Sequence, residues 1–256
     1  LNLDGSPQGK TAWLSKPYYK APSGQKEDYV GYPAFKEEQV LGFVDKAFAN
    51  HWQLLTHVNG DAAIDQLIRA VRAAEDKHGK ADRRPVAIHA QTARPEQVEA
   101  FQNLGIFPSF FPMHTYYWGD WHRNSVLGPE RGRNISPTGW ALQRGMIFSS
   151  HHDAPVAFPD SMRVLSATVT RVARGSGEVV GPEHRATPLT GLKAMTLWAA
   201  YQHFEERSKG SIETGKTADF VVLSDNPLKI DPAKIADIRV LETIKAGQSV
   251  YRRSAY

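Results

Sequence analysis

From residue 38 to residue 175 short apolar runs alternate with stretches whose apolar side chains recur at helical spacing, and this alternation constrains the fold more than any other feature of the chain. Val40, Leu41, Val44 and Phe48 share one face of a first helical stretch, which leads into 53–57, read as a buried strand. Ile64, Leu67, Ile68, Val71 and Ala74 keep a helical period over 61–77, and a turn through His78 and Gly79 enters a second strand at 85–89. A helix over 95–104 follows, with Pro95 in its first turn and Gly105 just past its end, the punctuation that helices prefer. Next come a strand at 106–112, a long polar and aromatic loop over 113–134, a short helix at 137–144, a strand at 146–150 and an amphipathic helix over 160–174.

Strands alternating with helices imply a parallel sheet, and near-wholly apolar strands imply one covered on both faces. A (β/α)8 barrel and a doubly wound sheet both satisfy that pattern. Position favours the barrel, because His or Asp residues stand at or just beyond the C-terminal ends of three strands, where barrel enzymes place their chemistry. After a further helix over 190–207 the composition shifts to turn-rich, alternating segments at 210–225 and 236–251. The expected architecture is therefore α/β: part of a (β/α)8 TIM-type barrel over 1–207, with a small flanking β-sandwich domain over 208–256.

Several function classes drop out. The chain has no cysteine, which excludes disulfides, thiolate nucleophiles and cysteine-ligated zinc. Its 31 basic and 27 acidic residues leave a formal charge of only +4, and the basic residues are scattered, so no nucleic-acid partner is expected. No run of about 18 apolar residues offers a membrane span. No Gly-x-Gly-x-x-Gly or phosphate loop supports a nucleotide site. The compartment is left open. The opening Leu1-Asn2-Leu3-Asp4-Gly5 reads as a strand leading into a loop, and further sequence upstream of it is expected.

Neutral imidazoles and carboxylates bind Zn²⁺ and similar ions, and a catalytic site needs several of them converging with one position left for water. His57, His89 and Asp153 lie 32 and 64 residues apart. These intervals match about one and two strand–helix units, so a barrel would carry all three to one rim. Singly, each has an ordinary explanation: a strand-end histidine satisfied by its neighbours, or an aspartate capping the next segment.

The string from His57 to Ile64, His-Val-Asn-Gly-Asp-Ala-Ala-Ile, resembles the strand-5 signature of amidohydrolase family 3, a branch of the amidohydrolase superfamily that includes N-substituted formamide deformylases. Ile88-His89-Ala90-Gln91 resembles strand 6, Asp153-Ala154-Pro155-Val156 resembles strand 8, and 210–220 resembles the return into the β domain. Leu3-Asp4-Gly5 with Lys10-Thr11-Ala12 looks like the segment leaving strand 4, so the likeness spans nearly the whole chain in the family's order.

That resemblance implies a metal-dependent hydrolase of non-peptide carbon–nitrogen bonds, with one or two divalent ions, zinc by ligand type. His57 and His89 would bind one metal position; Asp153 would bind the other and act as the catalytic base. The family's His-x-His and its bridging carboxylated lysine are absent from this sequence, and the upstream segment of the same polypeptide is expected to supply them. Related sites also cleave esters and phosphoesters, and an inert barrel acting as a binding or regulatory protein is the rival reading.

A small-molecule, amide-like substrate is expected above the same rim. His114 and Trp118 belong to an aromatic run that either lines an apolar pocket or folds on its own side chains. His151 should share the inward side of Asp153, with His152 facing away. Asp4 either lines the site or serves the turn that follows it. Association into a homo-oligomer is left open.

Overall fold

The computed structural model describes residues 1–254. Helix α1 (Glu37–Ala49) leads to strand β1 (Leu55–Val58), α2 (Asp61–His78), β2 (Val86–His89), α3 (Pro95–Asn103) and β3 (Phe107–Phe110). Strand β4 (Ser149–Ser150) closes a four-stranded parallel sheet in the order β1-β2-β3-β4. Beyond β1, Leu1–Leu3 runs alongside as a further parallel segment: the His57 amide donates to the Leu1 carbonyl at 2.8 Å and the Leu3 amide donates to the His57 carbonyl at 3.0 Å. Strands that neighbour one another in simple chain order, each followed by helix, form a barrel wall; a doubly wound sheet would reverse its order at a switch point.

The core lies between this wall and its helices. Val40, Val44 and Phe48 from α1 meet Ile64, Leu67 and Val71 from α2, and all six share one buried core with Val58, Ala87 and Phe110 of the strands. Each fully buried Leu, Ile or Phe there contributes roughly 1.5–3 kcal/mol, the transfer value for such side chains. Helix α3 begins with Pro95 at its first position and a Gln97 side chain that accepts from the Arg94 amide at 2.9 Å.

Four local expectations are corrected. The stretch 113–134 is helical, as α4 (Met113–Trp121), a π-helical turn (His122–Val126) and α5 (Gly128–Gly132). Met113, His114 and Thr115 are buried in succession, so no single apolar stripe marks the helix in the sequence. The strand foreseen at 146–150 keeps only its last two residues in the ladder. Helix α7 (Ser161–Thr170) stops four residues early, where Arg171 adopts a left-handed φ of 54° and Val172 bridges to Val179. The helix foreseen at 190–207 is two helices, α8 (Pro188–Met195) and α9 (Leu197–Gln202), broken at Thr196, whose hydroxyl donates to the Leu192 carbonyl. Helix α6 (Thr138–Gln143) lies where the sequence indicates.

Past residue 207 the chain forms a three-stranded antiparallel sheet, β5 (Phe220–Leu223), β6 (Val240–Lys245) and β7 (Gln248–Arg252). The connection between β5 and β6 anchors on helix α7, where Ile235 and Ile238 pack with Met162, Leu165 and Val169. No helix among the described residues is long and apolar enough to cross a membrane.

Candidate metal centre

Side chains alternate along a strand, so the faces of the wall can be assigned residue by residue. Val58, Ala87 and Phe110 point into the helix–sheet core. His57, Ser109 and Ser149 point the other way, and Ser109 and Ser149 meet through their hydroxyls at 2.7 Å. His89 is in register with Val58 and Phe110, and alternation alone would send it toward the helices. Its φ of 70° reverses that, swinging the imidazole to the side of His57; Ala90 follows with φ 43° and Asp153 has φ 54°. Left-handed backbone at non-glycine residues is costly and tends to gather at functional sites.

The result is a compact group. The His57 and His89 rings meet edge to face with centroids 4.7 Å apart. His151 Nε2 is 3.1 Å from His89 Nδ1, and Asp153 Oδ2 is 3.9 Å from His89 Nε2. One donor atom each from His89, His151 and Asp153 lies within 4.8 Å of the others. His57 flanks this group without joining it at that spacing; its Nε2 is 3.3 Å from Asn59 Nδ2, and its buried Nδ1 has no hydrogen-bond partner.

This donor set fits a divalent cation. Burial, followed by the neighbouring His151 and His57, drives His89 down to about 2. Burial, followed by His152 and His57, drives His151 down to about 3. Both imidazoles are therefore neutral near pH 7 and carry a lone pair. Burial raises Asp153, against the opposing pull of His57 and His152. A Zn–N and a Zn–O bond together span about 4.2 Å. The 3.9 Å between His89 Nε2 and Asp153 Oδ2 falls inside that reach.

The other expected residues surround the group. His114, in the first turn of α4, is fully buried, with its ring 4.4 Å from Phe111 and 5.9 Å from His89. Burial, then the nearby histidines, hold it well below its ordinary range, and its Nδ1 has no partner. Trp118 stands one turn on, half-buried, 6.0 Å from His114. The aromatic run thus both edges the centre and packs on α7, joining Phe111, Met113 and Val164 in one cluster. Asp4 accepts backbone amides from Trp13, Asn59 and Gly60 at 3.0, 2.9 and 2.7 Å, and lies 4.0 Å from His57 Nδ1. Burial pushes its carboxyl up to about 7 against those three amides. His152 turns away, accepting the Ala154 amide.

Sequence reasoning passed over Ser109, Ser149 and Gln202, which stand beneath the histidines. Ser109 and Ser149 are polar residues inside apolar runs, which was a usable signal; Gln202 on α9 carried none. A cavity of about 560 Å³ opens at the opposite end of the wall, among Arg84, Pro85, Ile106, Phe107, Met146 and Tyr201, and contains none of the candidate ligands.

The model of the amidohydrolase family matches residues 1–251. YtcJ of Bacillus subtilis strain 168 is 28% identical over 255 residues, which are 98% of this chain and 46% of YtcJ. The N-substituted formamide deformylase of Arthrobacter pascens is 25% identical over 231 residues, 88% of this chain and 41% of the deformylase. The crystal structure of an uncharacterized metal-dependent hydrolase from Pyrococcus furiosus superimposes with a TM-score of 0.72 at 25% identity, covering 89% of this chain and 44% of that one. The chain spans less than half the length of the curated relatives it matches.

Proposed function

Because this chain belongs to the amidohydrolase family, we propose that it carries part of the centre of a metal-dependent hydrolase that cleaves carbon–nitrogen bonds other than peptide bonds. The observation that carries the reading is the convergence of His89, His151 and Asp153, with His57 beside them, at the C-terminal rim of a parallel wall. A linear N-acyl or N-formyl amine is the substrate class we favour, supported by the similarity to the deformylase.

His57 and His89 would hold one cation position and Asp153 a second, with zinc favoured by the nitrogen and carboxylate donors. When bound, the cation supplies Lewis acidity, polarising a carbonyl and acidifying water. Asp153 would take a proton from the attacking water on a carboxylate oxygen and return it to the leaving nitrogen. Partial burial makes that carboxylate a stronger base than an exposed one, which suits the task. His114 would offer the substrate a polar contact and Trp118 an apolar one, matching a ring-bearing amide. The remaining ligands, a His-x-His pair and a carboxylated lysine, would come from an upstream segment of the same polypeptide, within the part of the relatives' length that this chain does not span.

Metal analysis with a substrate panel, on the polypeptide that includes the upstream segment, tests the reading. We expect bound zinc and chelator-sensitive turnover of N-formyl amines or acyl anilides. Preferred turnover of esters, phosphotriesters or dipeptides would replace the substrate class. Absence of both transition metal and chelator-sensitive turnover would overturn the hydrolase reading itself.

A further inference from the structure

We propose that a directional hydrogen-bond relay, running from Gln202 through Ser149, Ser109 and His151, locks His89 in the tautomer that presents a bare Nε2 to a cation, so that His151 is a positioning residue for its neighbour. The relay is continuous: Gln202 Oε1 to Ser149 Oγ 2.6 Å, Ser149 Oγ to Ser109 Oγ 2.7 Å, Ser109 Oγ to His151 Nδ1 3.0 Å, and His151 Nε2 to His89 Nδ1 3.1 Å. Ser109, Ser149 and His89 are each no more than 5% exposed, so water does not compete at those three members.

Counting protons fixes its direction. Gln202 presents its carbonyl Oε1 to Ser149 Oγ at 2.6 Å, with Nε2 on the side of His203. A carbonyl oxygen only accepts, so Ser149 spends its single hydroxyl proton on Gln202. Ser109 must then donate to Ser149, and has no proton left for His151. His151 Nδ1 therefore carries the hydrogen and donates to Ser109, which leaves Nε2 as a lone pair facing His89. His89 Nδ1 carries the hydrogen that fills it. The free lone pair of His89 is then at Nε2, the atom 3.9 Å from Asp153. Metal-binding histidines commonly donate their second ring N–H to a fixed partner, which sets tautomer and ring orientation. Here the partner is another imidazole, itself set by an amide on α9.

The relay's geometry stands apart from the proposed function; its consequence for metal binding rests on His89 being a ligand. Two measurements on the polypeptide that includes the upstream segment separate them. Two-bond proton–nitrogen correlation spectra of ¹⁵N-histidine-labelled protein near neutral pH, assigned with single His→Gln variants, are expected to show both His89 and His151 protonated at Nδ1. A His151 protonated at Nε2 overturns the relay. Chelator-competition titration with zinc alone is expected to show His151→Phe binding about 10- to 100-fold more weakly than wild type. His151→Gln, which keeps an acceptor for His89 Nδ1, should retain most of the affinity. Equal affinity of His151→Phe and wild type overturns the positioning role, as does a coordination shift at His151 Nε2 on adding zinc, which would make His151 a ligand. If wild type binds no zinc, the proposed function fails at this site, and the tautomer spectra still decide the relay.

Discussion

The Asp4 carboxylate accepts the Gly60 amide at 2.7 Å, joining the first loop of the chain to the turn that follows β1. The same carboxylate takes the amides of Asn59 and Trp13, and a Cβ at position 60 would sit 1.9 Å from the Trp13 carbonyl oxygen. The first loop of the chain, through Trp13, and the distant turn at Asn59 and Gly60 therefore close around one buried side chain next to His57.

Removing that side chain leaves three buried N–H groups without an acceptor, each costing about 1–3 kcal/mol. Asp4→Ala should accordingly lose on the order of 3 kcal/mol or more of stability, read as a lowered urea midpoint. Asp4→Asn keeps one acceptor oxygen, enough for the Gly60 and Trp13 amides, but turns its NH2 toward the Asn59 amide, and should lose less than Asp4→Ala while staying below wild type. Equal losses would show that the amides are satisfied in some other way.

Asp153 tests chemistry rather than folding. It is partly exposed at the rim, and nothing in the core rests on it. Asp153→Asn should leave the melting temperature within about 2 °C of wild type while lowering kcat/KM for the amide substrate by roughly 10²–10⁴-fold, the usual worth of a general base. Steady-state kinetics beside thermal denaturation check both halves, and undiminished turnover would remove Asp153 from the proton-transfer role.

The barrel wall was legible because its signals are local. Helical spacing over Ile64–Val71 and apolar strand runs ending in His57 and His89 follow from which side chains must be buried. What stayed hidden needed the third dimension. The aromatic stretch at Met113–Trp121 is buried on more than one side, so its helix has no stripe to read. Strand alternation would have turned His89 outward, and only its left-handed backbone brings it to His57. Gln202 enters the site through α9, from more than 50 residues beyond β4, with no motif to announce it.

His184 gives a pH signature away from the metal centre. It is fully buried, its Nε2 pairs with Asn134, and its Nδ1 has no partner. Burial, aided by Arg171 and Arg133 and opposed by Glu183, lowers it from 6.5 to about 3. Between those values the unfolded chain binds a proton that the native state refuses, so stability falls as pH drops, by up to about 1.4 kcal/mol per pH unit. The loss begins below the unfolded value and levels off near the folded one. Urea midpoints of wild type should therefore fall more steeply from neutral pH to about pH 4.5 than those of His184→Gln; identical slopes would exclude His184 as the source.

Arg171 ties the outer helix to the loops that shape the centre. It caps α7, is fully buried, and donates to the carbonyls of Val180, Ser136 and Ile135 at 2.6, 2.9 and 2.5 Å. Burial lowers its guanidinium to about 9, so it stays charged near pH 7. Ser136 in turn donates its amide to the Gln91 carbonyl and its hydroxyl to the Phe111 carbonyl, which lie just beyond His89 and just before His114. Arg171→Met preserves length but strands three carbonyls, and should lose roughly 3–5 kcal/mol. Arg171→Lys keeps the charge without the planar fork, can serve one carbonyl at a time, and should recover only part of that loss. Because the strand ends at Gln91 and Phe111 share the loosened loop, both variants should also bind zinc more weakly, in the order of their stability losses. A destabilised Arg171→Met with unchanged zinc affinity would show that the loop and the centre are mechanically independent.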